Sequence, residues 1–448
     1  MSDSKIDRRS WLGGGTLALS AALGASVCSP LRGGEPEDAL ESTIRAASAF
    51  GMRPGASPGE NRKALQAAID WAAVRGGAIL IEPTDEPYAV ESGLLLRQNA
   101  SLLGVNAAVP RSTSHPQRRH PVGSVFRIES TDRPFLTVES ATQVRGLQFW
   151  YPDQTVRDPG KVIEYPPTIV RDPDKPVFGV TMAELTFFGD FITFDFTSAQ
   201  ASAGKVTELM RFEHCFAYPL SGRFIDIDYC YDIPRVLHCH VNPAIRRLAD
   251  GGYSRDVIDG VVDRKTFAYR IDHTDNAQLM DLFTFGTWGG IRLGPATYGQ
   301  LTNFNLDCVA VGIHKSGDNQ FNRNWQIAQG SIIANAAGRI EDNHPIIIDG
   351  MGHTSLTAVE SFCGPNGALS TPSVEIDGMQ RTVSRDYLLI EGSDHATVSL
   401  FGCRMSNYLA ENPITNNNPN AAVAAYGCFA RRGYDAHALP FEVLPRVS

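Results

Sequence analysis

One stretch near the start of the chain, residues 50–106, limits the possible folds most strongly. It holds a single short helix that is followed only by strand-like runs. Ser57 and Glu60 form an S-x-x-E capping box, Pro58 occupies the first helical position, and Gly76 ends the helix. A lone helix ahead of a long series of strands is typical of a cap that covers the open end of a stacked-strand solenoid.

The helix itself is amphipathic, and the chain after it is rich in strand patterns. Its apolar residues recur at i, i+3, i+4 and i+7 and form one stripe: Leu65, Ala68, Ile69 and Ala72. Beyond it, apolar runs of four to six residues follow one another with turn signals between them, as in an all-β protein. We therefore expect no further helix. Two long polar segments, 151–176 and 242–265, interrupt the series and are predicted to be loops.

The order of motifs resembles the start of the pectate-lyase-like superfamily. The motifs are ALQAAIDWA at 64–72, GGAILIEP at 76–83 and LLG at 102–104. The segments 223–243 and 267–291 are similar to its glycosyl-hydrolase-related, pectate-lyase-3-type subgroup. The resemblance implies an all-β fold, a single-stranded right-handed parallel β-helix with a short N-terminal capping helix. It also implies a polysaccharide substrate and a homotrimer.

The remaining domain boundaries come from composition. Residues 1–28 carry Arg8-Arg9 ahead of a short apolar run, which predicts a twin-arginine signal peptide and a periplasmic or secreted protein. A lipoprotein attached through Cys28 is the alternative. Residues 29–49 are predicted to be a linker, 50–411 the β-helix with its cap at 50–106, and 412–448 a C-terminal tail or cap.

Composition also excludes several classes of function. A net charge of −9 argues against nucleic-acid binding, which needs a basic face. No apolar run is long enough to predict an integral membrane segment in the mature protein. Seven cysteines remain outside the signal region, without CxxC or zinc-type spacing, so we predict buried thiols and no metal site. No phosphate loop, dinucleotide fingerprint or G-x-S-x-G elbow is present, so no cofactor is expected, except Ca²⁺ for a lyase.

Closely spaced acids and histidines are the first candidates for catalysis. Asp226 and Asp228 lie two residues apart on one strand, so about 6.5–7 Å separates them, which is close to the carboxylate spacing of inverting glycosidases. Asp232 follows in a turn, and His240 shares a strand face with His238. The alternatives are solvated aspartates and a surface side-chain ladder.

A third cluster lies around the T-D turn at 274–275. Asp275 matches the Asp of this turn in the subgroup, although Asn276 replaces the aromatic residue that often follows it. Arg235 or Arg270 could neutralise the carboxylate of a uronate, a sugar acid. Three aromatic residues are predicted to stack on sugar rings: Trp150, Tyr151 and Trp288. The alternatives here are surface ion pairs and core packing. His314 and Asp318 form an isolated two-residue candidate, which we rank below these clusters.

The favoured prediction is therefore an exported polysaccharide-cleaving β-helix with a groove walled by 151–176 and 242–265. Hydrolysis is favoured over β-elimination because paired carboxylates are visible, whereas a dense set of lysines and arginines is not. A polysaccharide lyase and a non-catalytic polysaccharide-binding protein remain the alternatives.

Overall fold

The computed structural model describes residues 43–105, 117–198, 204–317, 324–362, 373–376, 378–432 and 435–438. The predicted signal peptide and most of the predicted linker lie outside these ranges. The end of that linker forms a strand, β1 (Ile44–Ala46), and a 3₁₀ helix (Ala47–Phe50).

The helix α1 (Pro58–Arg75) forms the predicted cap. The Ser57 hydroxyl accepts from the Glu60 amide at 3.3 Å and the Glu60 carboxylate accepts from the Ser57 amide at 2.9 Å, which completes the capping box. All four residues of the apolar stripe are fully buried. On the other side, the Gln66 amide exchanges two hydrogen bonds with the Leu95 backbone and so holds the helix to the first coil.

Short strands make up most of the remaining chain. The first half contains β2 (Ala78–Leu80), β3 (Tyr88–Val90), β4 (Leu94–Leu96), β5 (Ser101–Leu103), β6 (Val125–Ile128), β7 (Leu136–Val138), β8 (Gln143–Arg145), β9 (Gln148–Trp150), β10 (Ile169–Arg171), β11 (Val177–Phe178), β12 (Thr181–Ala183), β13 (Thr186–Phe188), β14 (Ile192–Phe196), β15 (Thr207–Glu208), β16 (Arg211–Glu213) and β17 (Phe216–Ala217).

The second half contains longer strands. They are β18 (Arg223–Tyr231), β19 (Arg235–Leu237), β20 (His240–Val241), β21 (Phe267–Thr274), β22 (Ala277–Met280), β23 (Phe283–Leu293), β24 (Gly299–Ser316), β25 (Asn324–Ala334), β26 (His344–Asp349), β27 (Gly352–Ser361), β28 (Ser373–Ile376), β29 (Met379–Thr382), β30 (Leu388–Glu391), β31 (Ala396–Phe401), β32 (Arg404–Ser406), β33 (Ile414–Asn416), β34 (Ala422–Tyr426), β35 (Phe429–Arg432) and β36 (Asp435–Ala438).

These strands pair in parallel from one coil to the next and form three ladders. The first ladder begins β1–β2–β5–β8–β12 and the second begins β3–β6–β9–β13. The third runs β4–β7–β10–β14–β18–β21–β23–β24–β26–β30–β33. Successive coils thus stack in parallel, with long strands such as β23 and β24 serving more than one ladder, and the predicted right-handed parallel β-helix is confirmed.

Like residues stack in the core, coil upon coil. Phe126, Phe149 and Phe187 occupy one register on β6, β9 and β13, and the last two rings lie parallel with centroids 4.7 Å apart. The predicted burial of the cysteines is confirmed for the described ones: Cys215, Cys230, Cys239, Cys308, Cys403 and Cys428. Within the described ranges, no helix has the length and apolar character needed to cross a membrane.

The expectation that no helix follows α1 is wrong, because α2 (Arg255–Asp263) lies within the predicted loop 242–265. The Ser254 side chain caps it, and Val257 and Val261 are buried. Its two turns are too short to show a clear helical period in a polar segment. Further short 3₁₀ helices lie at Pro159–Lys161, Pro243–Ile245 and Ile340–Asp342.

The parallel ladders continue beyond residue 411, where the sequence predicted a tail or cap. Strands β33, β34 and β35 add to β30, β31 and β32, and β36 then pairs antiparallel with β35. The run from 414 to 432 therefore belongs to the coils, because its alternating small residues are buried against the preceding strands.

Candidate active-site cleft

A row of charged side chains runs along the outside of the third ladder. Asp195, Asp226, Arg270, Arg292 and His314 occupy one register on β14, β18, β21, β23 and β24. Neighbouring strands lie about 4.8 Å apart, so this register places the five side chains in one column. The alternate positions on the same strands are buried and, apart from Lys315, apolar, which places the column on the outer face.

A cleft of about 450 Å³ opens over this column. Ten residues line it: Arg223, Asp226, Lys265, Thr266, Phe267, Arg270, Arg292, His314, Ser316 and Asp349. Four of these are arginine or lysine, whereas only two are acidic, in a chain whose net charge is −9. The cleft therefore concentrates positive charge locally.

Two of the cleft cations form ion pairs with carboxylates of the protein, and we call them committed cations. The Arg223 guanidinium donates to Asp226 Oδ2 with Nε at 2.7 Å. Arg270 Nε donates to Asp272 Oδ2 at 2.6 Å. Both carboxylates are buried, whereas the Arg223 and Arg270 side chains are 29% and 37% exposed.

The other two cations have no carboxylate partner within the described residues. The Arg292 side chain makes no hydrogen bond or ion pair there, and the Lys265 ammonium lies 4.7 Å from the centroid of the Trp288 ring. A guanidinium carries five donors, so Arg292 is free to bind a planar anion through two parallel hydrogen bonds. The buried Ser316 hydroxyl also lines the cleft without a partner in the described part of the chain.

A histidine–aspartate pair forms one side of the cleft. His314 Nε2 lies 3.0 Å from Asp349 Oδ2, on β26 of the next coil. In the neutral imidazole that donates Nε2–H to this carboxylate, Nδ1 holds the lone pair. Nδ1 has no partner in the described ranges. The pair can therefore take up a proton from a bound molecule.

Burial shifts the pKa values of two further groups, one that lines the cleft and one that follows His314 in sequence. The loss of solvation raises the pKa of Asp226 to about 6, although Arg223 opposes the shift. Lys315 follows His314 but points into the core, and its Nζ donates to the Met351 carbonyl. Burial lowers the pKa of Lys315 to about 8, with Asp349 as the strongest opposing charge.

The wall beside His314 is aromatic. The Phe267 ring lies 5.9 Å from the imidazole and covers Gly289 on the neighbouring strand. A Cβ atom at Gly289 would come within 2.2 Å of this ring, so only glycine leaves room for it. Phe267 thus offers an apolar surface next to the charged column.

Two of the residues predicted from sequence, Asp226 and Arg270, line this cleft. Asp228 lies two residues further along β18, with its carboxylate 2.8 Å from His273 Nδ1. Asp275 accepts a hydrogen bond from the Tyr298 hydroxyl in the next turn. Asp232 is exposed in a turn with φ of 48°. These three acids are not among the residues that line the cleft.

The remaining predicted residues lie on other faces or inside. His240 is stacked between Phe216 and Phe283 on the second ladder, and Arg235 is on the first. Trp150 is on the second ladder. Tyr151 is buried, and its hydroxyl is hydrogen-bonded to the Thr168 hydroxyl. A substrate cannot reach the Tyr151 ring, which is 2% exposed.

The predicted groove walls are only partly in place. Trp288 and the end of segment 242–265 border the cleft through Lys265. Segment 151–176 does not line it. Instead it packs on segment 242–265, where Glu164 pairs with Arg264 at 2.8 Å and the Val156 carbonyl accepts from Ser254.

Sequence reasoning missed Arg223, Lys265, Arg292 and Asp349, and ranked His314 last. One signal was present: Arg270, Arg292 and His314 follow each other at intervals of 22 residues, the length of a coil without an insertion. The partner assigned to His314, Asp318, lies outside the described residues. No group of three or more His, Cys, Asp or Glu side chains that could hold a metal ion occurs in the described ranges.

Comparisons with known proteins describe the fold alone. No family model and no curated protein matches the sequence. A tailspike protein of Acinetobacter phage vB_ApiP_P1 is 10% identical with a TM-score of 0.44, over 91% of this chain and 65% of that one. The chain thus spans about two thirds of that tailspike.

Two further solved structures are similar at the same level. The A-module of mannuronan C-5 epimerase AlgE6 from Azotobacter vinelandii is 12% identical with a TM-score of 0.38, over 86% of this chain and 99% of that one. Gene product 12 of bacteriophage phi29 is 10% identical with a TM-score of 0.49, over 89% and 58%.

Proposed function

We propose that the protein cleaves an acidic, uronate-containing polysaccharide by β-elimination in this cleft. The observation that supports the proposal most directly is the pair of uncommitted cations, Arg292 and Lys265, beside the two committed ones. Cations without a protein carboxylate are suited to a carboxylate of the substrate. The sugar class follows from the resemblance of the cap and central segments to polysaccharide-active β-helices.

The chemistry of elimination fits this charge distribution. Removal of the proton next to a uronate carboxylate places negative charge on that carboxylate. Arg292, with Arg270 beside it in register, would hold and neutralise this charge. Such cations reduce the energy of the transition state more than that of the bound substrate, because the charge grows as the proton leaves.

Glycoside hydrolysis, favoured from sequence, is the second candidate. Asp226 and Asp349 both line the cleft, and the raised pKa of Asp226 is typical of a general acid. However, the Asp226 side chain is fully buried and accepts from Arg223, so it has no direct path to a substrate. Hydrolysis would also leave the uncommitted cations without a role in the reaction.

The export and assembly predictions stay proposals alongside this one. The Arg8-Arg9 motif supports twin-arginine export to the periplasm or the medium, and Arg8→Lys with Arg9→Lys should retain the protein in the cytoplasm. A homotrimer is proposed from the family resemblance, and light scattering tests it by measuring the molar mass of the protein in solution. A calcium requirement is tested by assays with a chelator.

The experiment is a panel of polyuronates and neutral glucans incubated with purified protein. Two readouts are followed: ultraviolet absorbance of an unsaturated product and release of reducing ends. Both should rise on a polyuronate. Reducing ends without absorbance would instead favour hydrolysis, and binding without either signal would identify a non-catalytic binding protein. The matched variant, Arg292→Gln, should weaken polyuronate binding and leave the fold intact.

A further inference from the structure

We infer that His314 is the base of this elimination and that Asp349 orients it as a positioning residue. The inference rests on the proposed function and adds the group that moves the proton. It follows from the position, hydrogen bonding and neighbours of one histidine that sequence reasoning ranked last.

The position of His314 is the first argument. It occupies the next register position after Arg292, on the adjacent strand of the third ladder. Adjacent strands lie about 4.8 Å apart. A uronate carboxylate bound to Arg292 would therefore place the adjacent carbon of the sugar near the imidazole. The Phe267 ring, 5.9 Å from the imidazole, bounds the same space.

Hydrogen bonding is the second argument. Asp349 Oδ2 lies 3.0 Å from Nε2, so the neutral imidazole that donates to it carries its lone pair on Nδ1, and no described residue occupies that nitrogen. The His314 side chain is 24% exposed, which leaves it open to a substrate but confined. A neutral histidine fixed by a carboxylate is the usual arrangement of a general base.

The other histidine–aspartate pairs of the described residues lack one of these features. His273 pairs with Asp228 at 2.8 Å, but neither residue lines the cleft. His238 pairs with Asp281 at 2.8 Å at a corner that leads from the first to the second ladder, away from the cleft. His344 has both nitrogens occupied. Among the described residues that line the cleft, His314 is the one histidine.

The step balances without a further reactant. The C–H bond next to the uronate carboxylate breaks and its proton moves to Nδ1. The electron pair forms a carbon–carbon double bond as the glycosidic C–O bond breaks, and the leaving oxygen takes a proton from His314 or water. The imidazole is then neutral again, directly or after loss of its proton to water.

Charged groups surround His314 on every side and shape its pH dependence. Asp349 contacts it from the next coil, Arg292 precedes it in the column, Lys315 follows it in sequence, and Lys265 and Asp226 line the same cleft. In the proposed step the imidazole must be neutral, because a protonated ring cannot accept the proton of the sugar.

The test uses the full protein and the polyuronate that the panel identifies. His314→Gln should lower kcat by about 10²- to 10⁴-fold while polyuronate binding by calorimetry changes little. Asp349→Asn should lower kcat by about 10- to 100-fold and change the pH profile of kcat. His238→Gln, which removes a comparable pair outside the cleft, should keep kcat within about twofold of the wild type.

A rescue experiment separates a base from a structural role. His314→Ala should regain part of its turnover when free imidazole is added, whereas Arg292→Gln should not. If the His314→Gln variant forms product at the wild-type rate, the base assignment alone is overturned. Absence of unsaturated product from the wild type would overturn the proposed function and the base with it. Loss of polyuronate binding in His314→Gln would assign His314 to binding instead.

Discussion

Two histidine–aspartate pairs on neighbouring strands of the third ladder have opposite characters. His314 and Asp349 are partly exposed, at 24% and 38%, and one imidazole nitrogen is left for a substrate. His344 and Asp386 are buried, at 10% and 1%. His344 Nδ1 lies 2.8 Å from Asp386 and Nε2 lies 2.8 Å from the Glu341 carbonyl.

The number of acceptors decides what each histidine can do. Burial alone lowers the pKa of His344, but its two oxygen acceptors raise it overall and favour the form in which both nitrogens donate. In that form His344 makes a buried structural ion pair with Asp386 and has no lone pair to accept a proton from a substrate. His314 faces one acceptor and keeps a lone pair. The same two residue types thus support the fold in one place and provide a base in the other.

The largest expected effect is the loss of the buried pair. His344→Gln should cost about 3–5 kcal/mol of unfolding free energy, because Asp386 would stay buried without its counter-ion. Urea unfolding measures the loss, and kcat per folded molecule should be unchanged. Adding Asp386→Asn to the same chain should restore part of the stability. A normal unfolding midpoint for the single variant would remove the distinction between the two pairs.

The cations of the cleft can be divided in the same way. Arg292→Ala should weaken polyuronate binding by about 1.5–3 kcal/mol and leave stability unchanged, because it has no partner in the described part of the chain. Arg270→Ala should lower stability too, because it leaves the buried Asp272 without its ion pair. Calorimetry and urea unfolding separate the two effects. Equal stability losses would contradict the division into committed and uncommitted cations.

The sequence predicted the fold better than the cleft, and the reason is geometric. The cap was readable because Ser57, Glu60 and the apolar stripe lie within one continuous stretch. The cleft gathers residues from successive coils, and insertions such as 242–265 change the coil length. Arg270, Arg292 and His314 keep a 22-residue interval, whereas Asp226 precedes Arg270 by 44.

The partner of His314 shows the same limit. Sequence proximity indicated Asp318, four residues away. The structure pairs the imidazole with Asp349, which lies 35 residues away and one coil further along the β-helix. A side chain on a solenoid contacts the coil above or below it more readily than a residue in the next loop.

A smaller effect concerns pH. Burial alone would lower the pKa of His344, but the hydrogen bond and charge of Asp386, with the Glu341 carbonyl and Glu391, raise it above the ordinary 6.5. The pair's contribution is therefore fully present below pH 6.5 and is lost as pH rises through the higher folded-state pKa. Each tenfold difference in proton affinity between the folded and the unfolded protein contributes about 1.4 kcal/mol.

The measurement is urea unfolding across this pH range for the wild type and for the double variant His344→Gln with Asp386→Asn. The difference in stability between them should shrink as the pH increases. A difference that grows with pH would mean that His344 is neutral in the folded protein and that the assignment of both donors is wrong.

The smallest effect is expected at a third pair, His238 and Asp281, whose side chains are 32% and 54% exposed. Solvent screens this pair, so His238→Gln should cost about 0.2–1 kcal/mol in urea unfolding, far less than His344→Gln. The His238 ring also stacks on His214 with centroids 4.7 Å apart, and His214→Gln provides the matched control for that contact. If His238→Gln and His344→Gln cost the same, burial would not be what distinguishes these pairs, and the separate character of His314 would depend on its unoccupied nitrogen alone.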